Sequence, residues 1–195
     1  MDHMPDTDAS DDALLVAFAN GDSRAGRDLV DRLAPRLFGY AARVLDDAAE
    51  AEDAVQETML KLWQIAPDWR QGEAKVSTWC YRVLVNNCTD RLRRRRTRGQ
   101  VDIDSVPEPE ADLESAVEQM TEKDRAEALQ AALNELPERQ RQAVALRHLE
   151  GLSNPEIAEI MDIGIEAVES LTARGKRSLK ISLAGRKDEL GYANE

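Results

Sequence analysis

Ser153-Asn154-Pro155-Glu156-Ile157-Ala158-Glu159-Ile160-Met161-Asp162-Ile163-Gly164-Ile165-Glu166-Ala167-Val168 is the stretch whose reading decides the fold. Ser153 is placed to cap a helix, with Glu156 three residues on to complete a capping box. Pro155 sits in the first turn, where its missing N–H costs nothing. Ile157, Ala158 and Met161 share one helical face. Asp162-Ile163-Gly164 then supplies a tight turn. The next helix turns Val168 and Leu171 inward and Arg174, Lys176 and Arg177 outward. Ala158 lets two helices approach closely, and Val168 follows ten residues later, the spacing of a helix-turn-helix.

Working outward, a second helix is expected over 139–149, closed by Glu150-Gly151, and a third from about Asp112 to Leu136, stopped by Pro137. Before these, Gly99, Pro107, Pro109 and four acids between 99 and 110 leave little apolar periodicity and read as a solvated linker. The chain therefore divides into 10–98, an acidic linker 99–111, and 112–186.

The N-terminal part reads as helix throughout. Leu14, Leu15 and Phe18 make one short amphipathic set. Leu29, Val30, Leu33, Leu37, Phe38, Ala41, Val44 and Leu45 recur at three and four, with Pro35 expected to kink or restart that helix. Asp46 or Asp47 caps a helix reaching Trp63, whose core stripe is Ala48, Ala51, Val55, Met59 and Leu62. A different stripe of that helix carries Asp53, Gln56, Glu57 and Leu60. A leucine among exposed acids fits a partner surface, and an incidental exposed Leu is the alternative. A loop with Trp69 and Arg70 leads into a helix over 75–98, with Val76, Trp79, Cys80, Val83, Leu84 and Leu92 on its buried side. Asn86, Asn87 and Asp90 lie on its polar side. Trp69 and Arg70 can stack on and clamp an unpaired base, unless Trp69 folds back onto the core. The helix ends in Arg91, Arg93, Arg94, Arg95, Arg96 and Arg98, whose guanidinium forks suit phosphates. A merely solvated basic end is the alternative.

Composition agrees with an all-α chain of two small helical domains. Of 195 residues 42% are hydrophobic but only 4% aromatic, which favours helices over a β-sandwich. The net charge of −12 is unevenly spread. Residues 70–98 hold nine Lys or Arg against Glu73 and Asp90, and 165–187 hold six against Glu166 and Glu169, while 101–127 hold ten acids against Lys123 and Arg125. Such a chain can touch a polyanion at two places while the rest faces something else. The N-terminus carries no basic or apolar leader, and the apolar run 13–19 is far short of the roughly 20 residues a bilayer span needs, so a cytoplasmic chain without membrane insertion is expected. Lys187-Asp188-Glu189-Leu190 is not at the C-terminus and does not act as a retrieval signal.

An enzyme is not expected. The two His are His3 and His148, and no catalytic residues, metal ligands or cofactor are foreseen. Cys80 and Cys88, eight residues apart on one helix, lie about 12 Å apart and cannot pair with each other. They read as packing residues, with a redox-sensing thiol as the alternative.

Three groups of residues then carry a family resemblance. Ala51-Glu52-Asp53-Ala54-Val55-Gln56-Glu57 with Lys61-Leu62-Trp63 resembles the polymerase-binding helix of sigma region two. Ser77-Thr78-Trp79, Tyr81-Arg82 and Asn86 through Asp90-Arg91-Leu92-Arg93-Arg94-Arg95 look like its melting and minus-ten recognition helix. Leu136-Pro137-Glu138-Arg139-Gln140-Arg141, Glu150-Gly151-Leu152-Ser153 and Glu156-Ile157-Ala158 look like sigma region four. The order, with no larger domain between, is similar to the extracytoplasmic-function (group IV) branch of the sigma-70 family and covers nearly all of 10–186.

The resemblance implies a sigma factor that binds core RNA polymerase through clamp and flap and opens promoter DNA. It implies that Asp53, Gln56, Glu57 and Leu60 dock on the clamp. It implies that Trp69 and Arg70 hold a flipped minus-ten base with Asn86 nearby and Trp79 in support, and that Arg91, Arg93, Arg94 and Arg95 meet DNA. The acidic linker would occupy the polymerase's RNA channel, and a cognate anti-sigma factor would clamp both domains. The helix from Ile165 would enter the major groove of the minus-thirty-five element with Glu166, Glu169, Ser170, Arg174 and Arg177. Here the family's Thr-Val-Lys-Ser-Arg is Ala167-Val168-Glu169-Ser170-Leu171. A carboxylate at that place can accept from the N4 amine of cytosine; a solvated acidic face or an anti-sigma contact is the alternative. Two other classes remain open: an operator-binding regulator that works without polymerase, and a protein that mimics sigma to titrate a regulator.

Overall fold

A computed structural model of the chain describes residues 9–70, 72, 74–99 and 113–184. The expected linker and both chain ends lie largely outside the described residues. All regular structure among them is helical: α1 Asp11–Ala19, α2 Ser23–Leu45, α3 Ala48–Ile65, α4 Val76–Arg98, α5 Leu113–Asn134, α6 Glu138–Val144, α7 Asn154–Met161 and α8 Ile165–Ala184. A 3₁₀ turn at Ala66–Asp68 follows α3, and a π turn at Ala145–Leu149 follows α6.

Local signals set most boundaries. Asp22 caps α2 through its carboxylate to the Arg24 and Ala25 amides, and Asp47 caps α3 through Glu50 N. Of the two aspartates expected to serve α3, Asp46 instead ends α2 in the left-handed region at φ 52°. The capping box at Ser153 and Glu156 is formed, and Asp162 ends α7 at φ 53°.

α2 runs unbroken through Pro35, against the expected kink or restart. Leu33 and Leu37 on either side are buried and hold the helix on its neighbours, while Pro35 and Asp31, whose carbonyl loses its partner, are both exposed to water. Ala48 is a second correction. It opens α3 and is exposed, and Ala54 and Thr58 complete the buried stripe with Ala51, Val55, Met59 and Leu62. The Thr58 hydroxyl donates to Ala54 O at 2.8 Å, so its burial leaves no orphan.

Helices α2, α3 and α4 pack on one another, with α1 across α2. Gly26 makes that last contact possible: a Cβ there would stand 2.6 Å from the Phe18 ring. In the C-terminal half α6, α7 and α8 pack together and α5 lies on α8. Gly175 is the closest point, since a Cβ there would meet Val144 Cγ2 at 2.5 Å. The halves are not separate bodies. α7 packs on α4, and one contiguous core joins Tyr40, Tyr81, Leu84 and Cys88 to Leu146, Ile157 and Ile160.

Candidate functional site

Three surfaces gather the residues singled out by sequence. The first is on α3. Asp53, Gln56, Glu57 and Leu60 are all exposed and share one face, and Leu60 keeps 60% of its surface open to water. Beside them α2 and α3 leave an apolar groove of about 400 Å³, lined by Val30, Ala34, Phe38, Val55 and Gln56. Sequence reading did not find this groove, because it needs two helices to be placed side by side.

The stripe is organised from behind by α4. Arg91, with only 14% of its side chain exposed, reaches Glu57 at 2.6 Å, Glu50 at 3.2 Å and Asp53 at 4.0 Å. Asn87 donates to Glu57 at 2.7 Å and accepts from Arg91 Nε at 3.0 Å. Those carboxylates raise the Arg91 pKa against its partial burial. Arg95 is held likewise, donating to Leu45 O and to Asp47, each at 2.8 Å. Two of the four arginines expected to meet DNA are thus occupied by carboxylates of the same domain, while Arg93 and Arg94 are exposed.

The second surface is where α1, the 3₁₀ turn and α4 meet. Trp69 is half-buried, and its indole N–H donates to Asp12 at 2.9 Å. Its ring stands edge-on to Trp79 with centroids 6.4 Å apart. Arg70 and Asn86 are exposed. Asn86 lines a groove of about 520 Å³ that α4 forms with Pro137, Arg139 and Met161 of the C-terminal half.

The third is α8. Glu166, Glu169, Arg174 and Arg177 are exposed, Ser170 is half-buried and Val168 is fully buried. Glu169 accepts from Asn154 Nδ2 at 3.4 Å, which ties it to the start of α7. Behind α8, an apolar hollow of about 160 Å³ is lined by Leu129, Leu133, Leu149 and Leu179.

Both cysteines are buried, and burial pushes each thiol up to about 12. Among the described residues no cluster of His, Cys, Asp or Glu could hold a metal ion, and no helix is long and apolar enough to cross a membrane.

Comparison with known proteins places this geometry. Residues 29–98 match Sigma-70 region 2, and residues 126–179 match Sigma-70, region 4. The chain is 34% identical over 170 residues to the ECF RNA polymerase sigma factor SigM of Mycobacterium tuberculosis, covering 87% of this chain and 83% of that one. It is 29% identical over 186 residues to the RNA polymerase sigma-H factor of Pseudomonas aeruginosa, covering 91% and 95%. Its fold is shared with CnrH, solved in complex with the cytosolic domain of CnrY, at TM-score 0.69 and 23% identity over 91% of this chain and 99% of that one. The chain belongs to the extracytoplasmic-function sigma factors of the sigma-70 family, transcription initiation factors that bind core RNA polymerase, direct it to promoters and open the DNA.

Proposed function

We propose a division of labour between the surfaces. The Asp53, Gln56, Glu57 and Leu60 face docks on the polymerase clamp, with the adjoining groove taking apolar side chains. The hollow behind α8 takes the flap. Trp69 and Arg70 hold the flipped minus-ten base, with Trp79 and Asp12 fixing the indole. Arg93 and Arg94 supply phosphate contacts, and Arg91 and Arg95 position α3. On α8, Glu166, Glu169 and Ser170 face base edges and Arg174 and Arg177 anchor the helix on phosphates. Residues 10–98 and 112–186 act as the two working units around the acidic linker 99–111.

The single observation that carries the docking role is the exposure of Leu60 among acids on a helix whose opposite face is buried. Water exposure of such a leucine is offset when a partner covers it. The chain does no covalent chemistry and acts in the cytoplasm with the polymerase. A cognate anti-sigma factor controls the chain in this reading, which is supported by a protein of the same fold: the sigma factor RpoE of Bartonella quintana, TM-score 0.64 and 24% identical over 81% of this chain and 96% of that one, was solved with the anti-sigma factor NepR.

The test is the double variant Asp53→Lys/Gln56→Ala. Both side chains are exposed, so thermal unfolding stays put while binding to core polymerase weakens by about 1–3 kcal/mol. Undiminished capture of core polymerase by this variant would sink the docking assignment.

A further inference from the structure

Four large apolar residues stand exposed among the described residues: Leu60, Leu149, Ile165 and Ile181. Leu60 belongs to the α3 docking face, and Leu149 lines the hollow behind α8. Ile165 and Ile181 have no part in the surfaces described above. Ile165 is the first residue of α8 and keeps 46% of its surface open to water.

The fold does not ask for an isoleucine there. A helix start is fixed by an apolar residue just before the cap packing against one in the first turn. Ile163 and Val168 hold those two places: Val168 is fully buried and Ile163 packs on the same core. A β-branched side chain loses rotamer freedom in a helix, and at an exposed position packing does not offset that cost. The approach to this end of α8 is open, since a Cβ on the preceding Gly164 would meet nothing within 4 Å.

The surroundings select the ligand. Glu166 and Glu169 are exposed at the same end of α8, and the first cation along the helix is Arg174. An end with two carboxylates and no cation is a poor phosphate contact and suits base edges instead. The apolar group that base edges offer in the major groove is the C5-methyl of thymine. Ile165 and Glu169 are four residues apart, so their Cβ atoms lie about 5–6 Å apart on one side of the helix. Bases along one strand are spaced by about 3.4 Å.

We propose that Ile165 determines specificity at the upstream promoter element by packing on the C5-methyl of a thymine, within two base pairs of the base that Glu169 faces. The proposal rests on α8 facing base edges, as given above. It does not need either carboxylate to discriminate between bases.

The test uses the full chain with core polymerase on a promoter selected by the wild-type chain. Each thymine of the upstream element is replaced in turn by deoxyuridine, which lacks only the methyl group. At one position the wild-type complex should bind about three- to tenfold more weakly, the worth of one buried methyl. Ile165→Ala should bind the thymine promoter more weakly by a similar factor and be indifferent to deoxyuridine at that position. Ile181 lies sixteen residues further along α8, about 24 Å away at 1.5 Å per residue and beyond a groove about 12 Å wide. Ile181→Ala should therefore respond to deoxyuridine as the wild type does. The methyl replacement read on the wild-type complex needs no variant, so a folding defect in Ile165→Ala cannot imitate it. A selected upstream element without thymine, a wild-type complex insensitive at every thymine, or a methyl response kept by Ile165→Ala overturns the proposal. In those cases upstream-dependent binding by the wild-type complex leaves the α8 reading standing. Promoter binding that never depends on the upstream element strikes that reading itself, and the proposal with it.

Discussion

The two halves bury their apolar residues by different means. In the N-terminal half α2, α3 and α4 enclose Leu29, Leu33, Leu37, Leu45, Leu62 and Leu84, all nearly or fully inaccessible, among the chain's own region-two helices. In the C-terminal half the separate cluster is small, built on Leu133, Leu136 and Val144. Its other buried residues, among them Leu146, Ile157 and Ile160, belong to the core that starts in the N-terminal half. A unit of this size cannot enclose much surface by itself. The difference teaches that the second half leans on the first for the burial of its apolar residues.

The largest expected effect tests that dependence. Leu37→Ala, at a fully buried position, should destabilise by about 2–5 kcal/mol. All three tryptophans, Trp63, Trp69 and Trp79, lie in the N-terminal half, so their emission reports that half while far-ultraviolet circular dichroism reports both. The two transitions should fall together in Leu37→Ala. Separate transitions would show that the C-terminal half stands alone. The reverse experiment is Gly175→Ala, where the new methyl meets Val144 at 2.5 Å. It should cost about 1–3 kcal/mol by overpacking, lowering the dichroism midpoint while tryptophan emission keeps the wild-type transition. A joint shift of both signals would mean that dependence runs in both directions.

The contrast also divides the arginines of α4. Arg91→Ala leaves Glu50, Asp53 and Glu57 without their shared cation, and should lower stability by about 1–2 kcal/mol and weaken polymerase capture with it. Arg94→Ala, exposed at the same helix end, should leave stability alone and weaken promoter binding with a shallower salt dependence. Equal effects of the two on salt dependence would erase the distinction. The smallest effect is on α8. Glu169→Gln should relax base preference at one or two upstream positions by about 1–3 kcal/mol against the preferred base, and leave binding at other positions unchanged. Promoter-library selection reads it; identical upstream preferences would leave Glu169 as a surface residue tied to Asn154.

What the sequence made legible was local. Ser153, Pro155, Glu156 and Asp162 act within a turn or two of themselves, and Asp47 caps through its own first turn, so spacing alone finds them. The stripe Asp53, Gln56, Glu57 and Leu60 could be read from one helix's period, and its exposure follows from that same period. What escaped needed two elements at once. Tyr81, Val85 and Cys88 are buried on α4, and the burial of Tyr81 makes sense only with Tyr40 of α2 and Glu150 beyond α6 in place. Arg91 looks like one of six basic residues until Glu50 and Glu57 are seen opposite it. Gly175 looks like an incidental glycine inside a helix until Val144 is in place. The π turn at Ala145–Leu149, closed by Glu150 N to Ala145 O at 3.1 Å, places Glu150 against Tyr81 and carries no residue pattern of its own.

The most direct measurement is run-off transcription with core polymerase on promoter templates chosen by selection with this chain. Specific transcripts are predicted only when both chain and core polymerase are present, and Asp53→Lys/Gln56→Ala should remove most of them while Trp69→Ala binds polymerase but fails to open the minus-ten thymines to permanganate. Specific transcripts at the wild-type level from the Asp53→Lys/Gln56→Ala chain, or none from the wild-type chain with active core polymerase, would contradict the account.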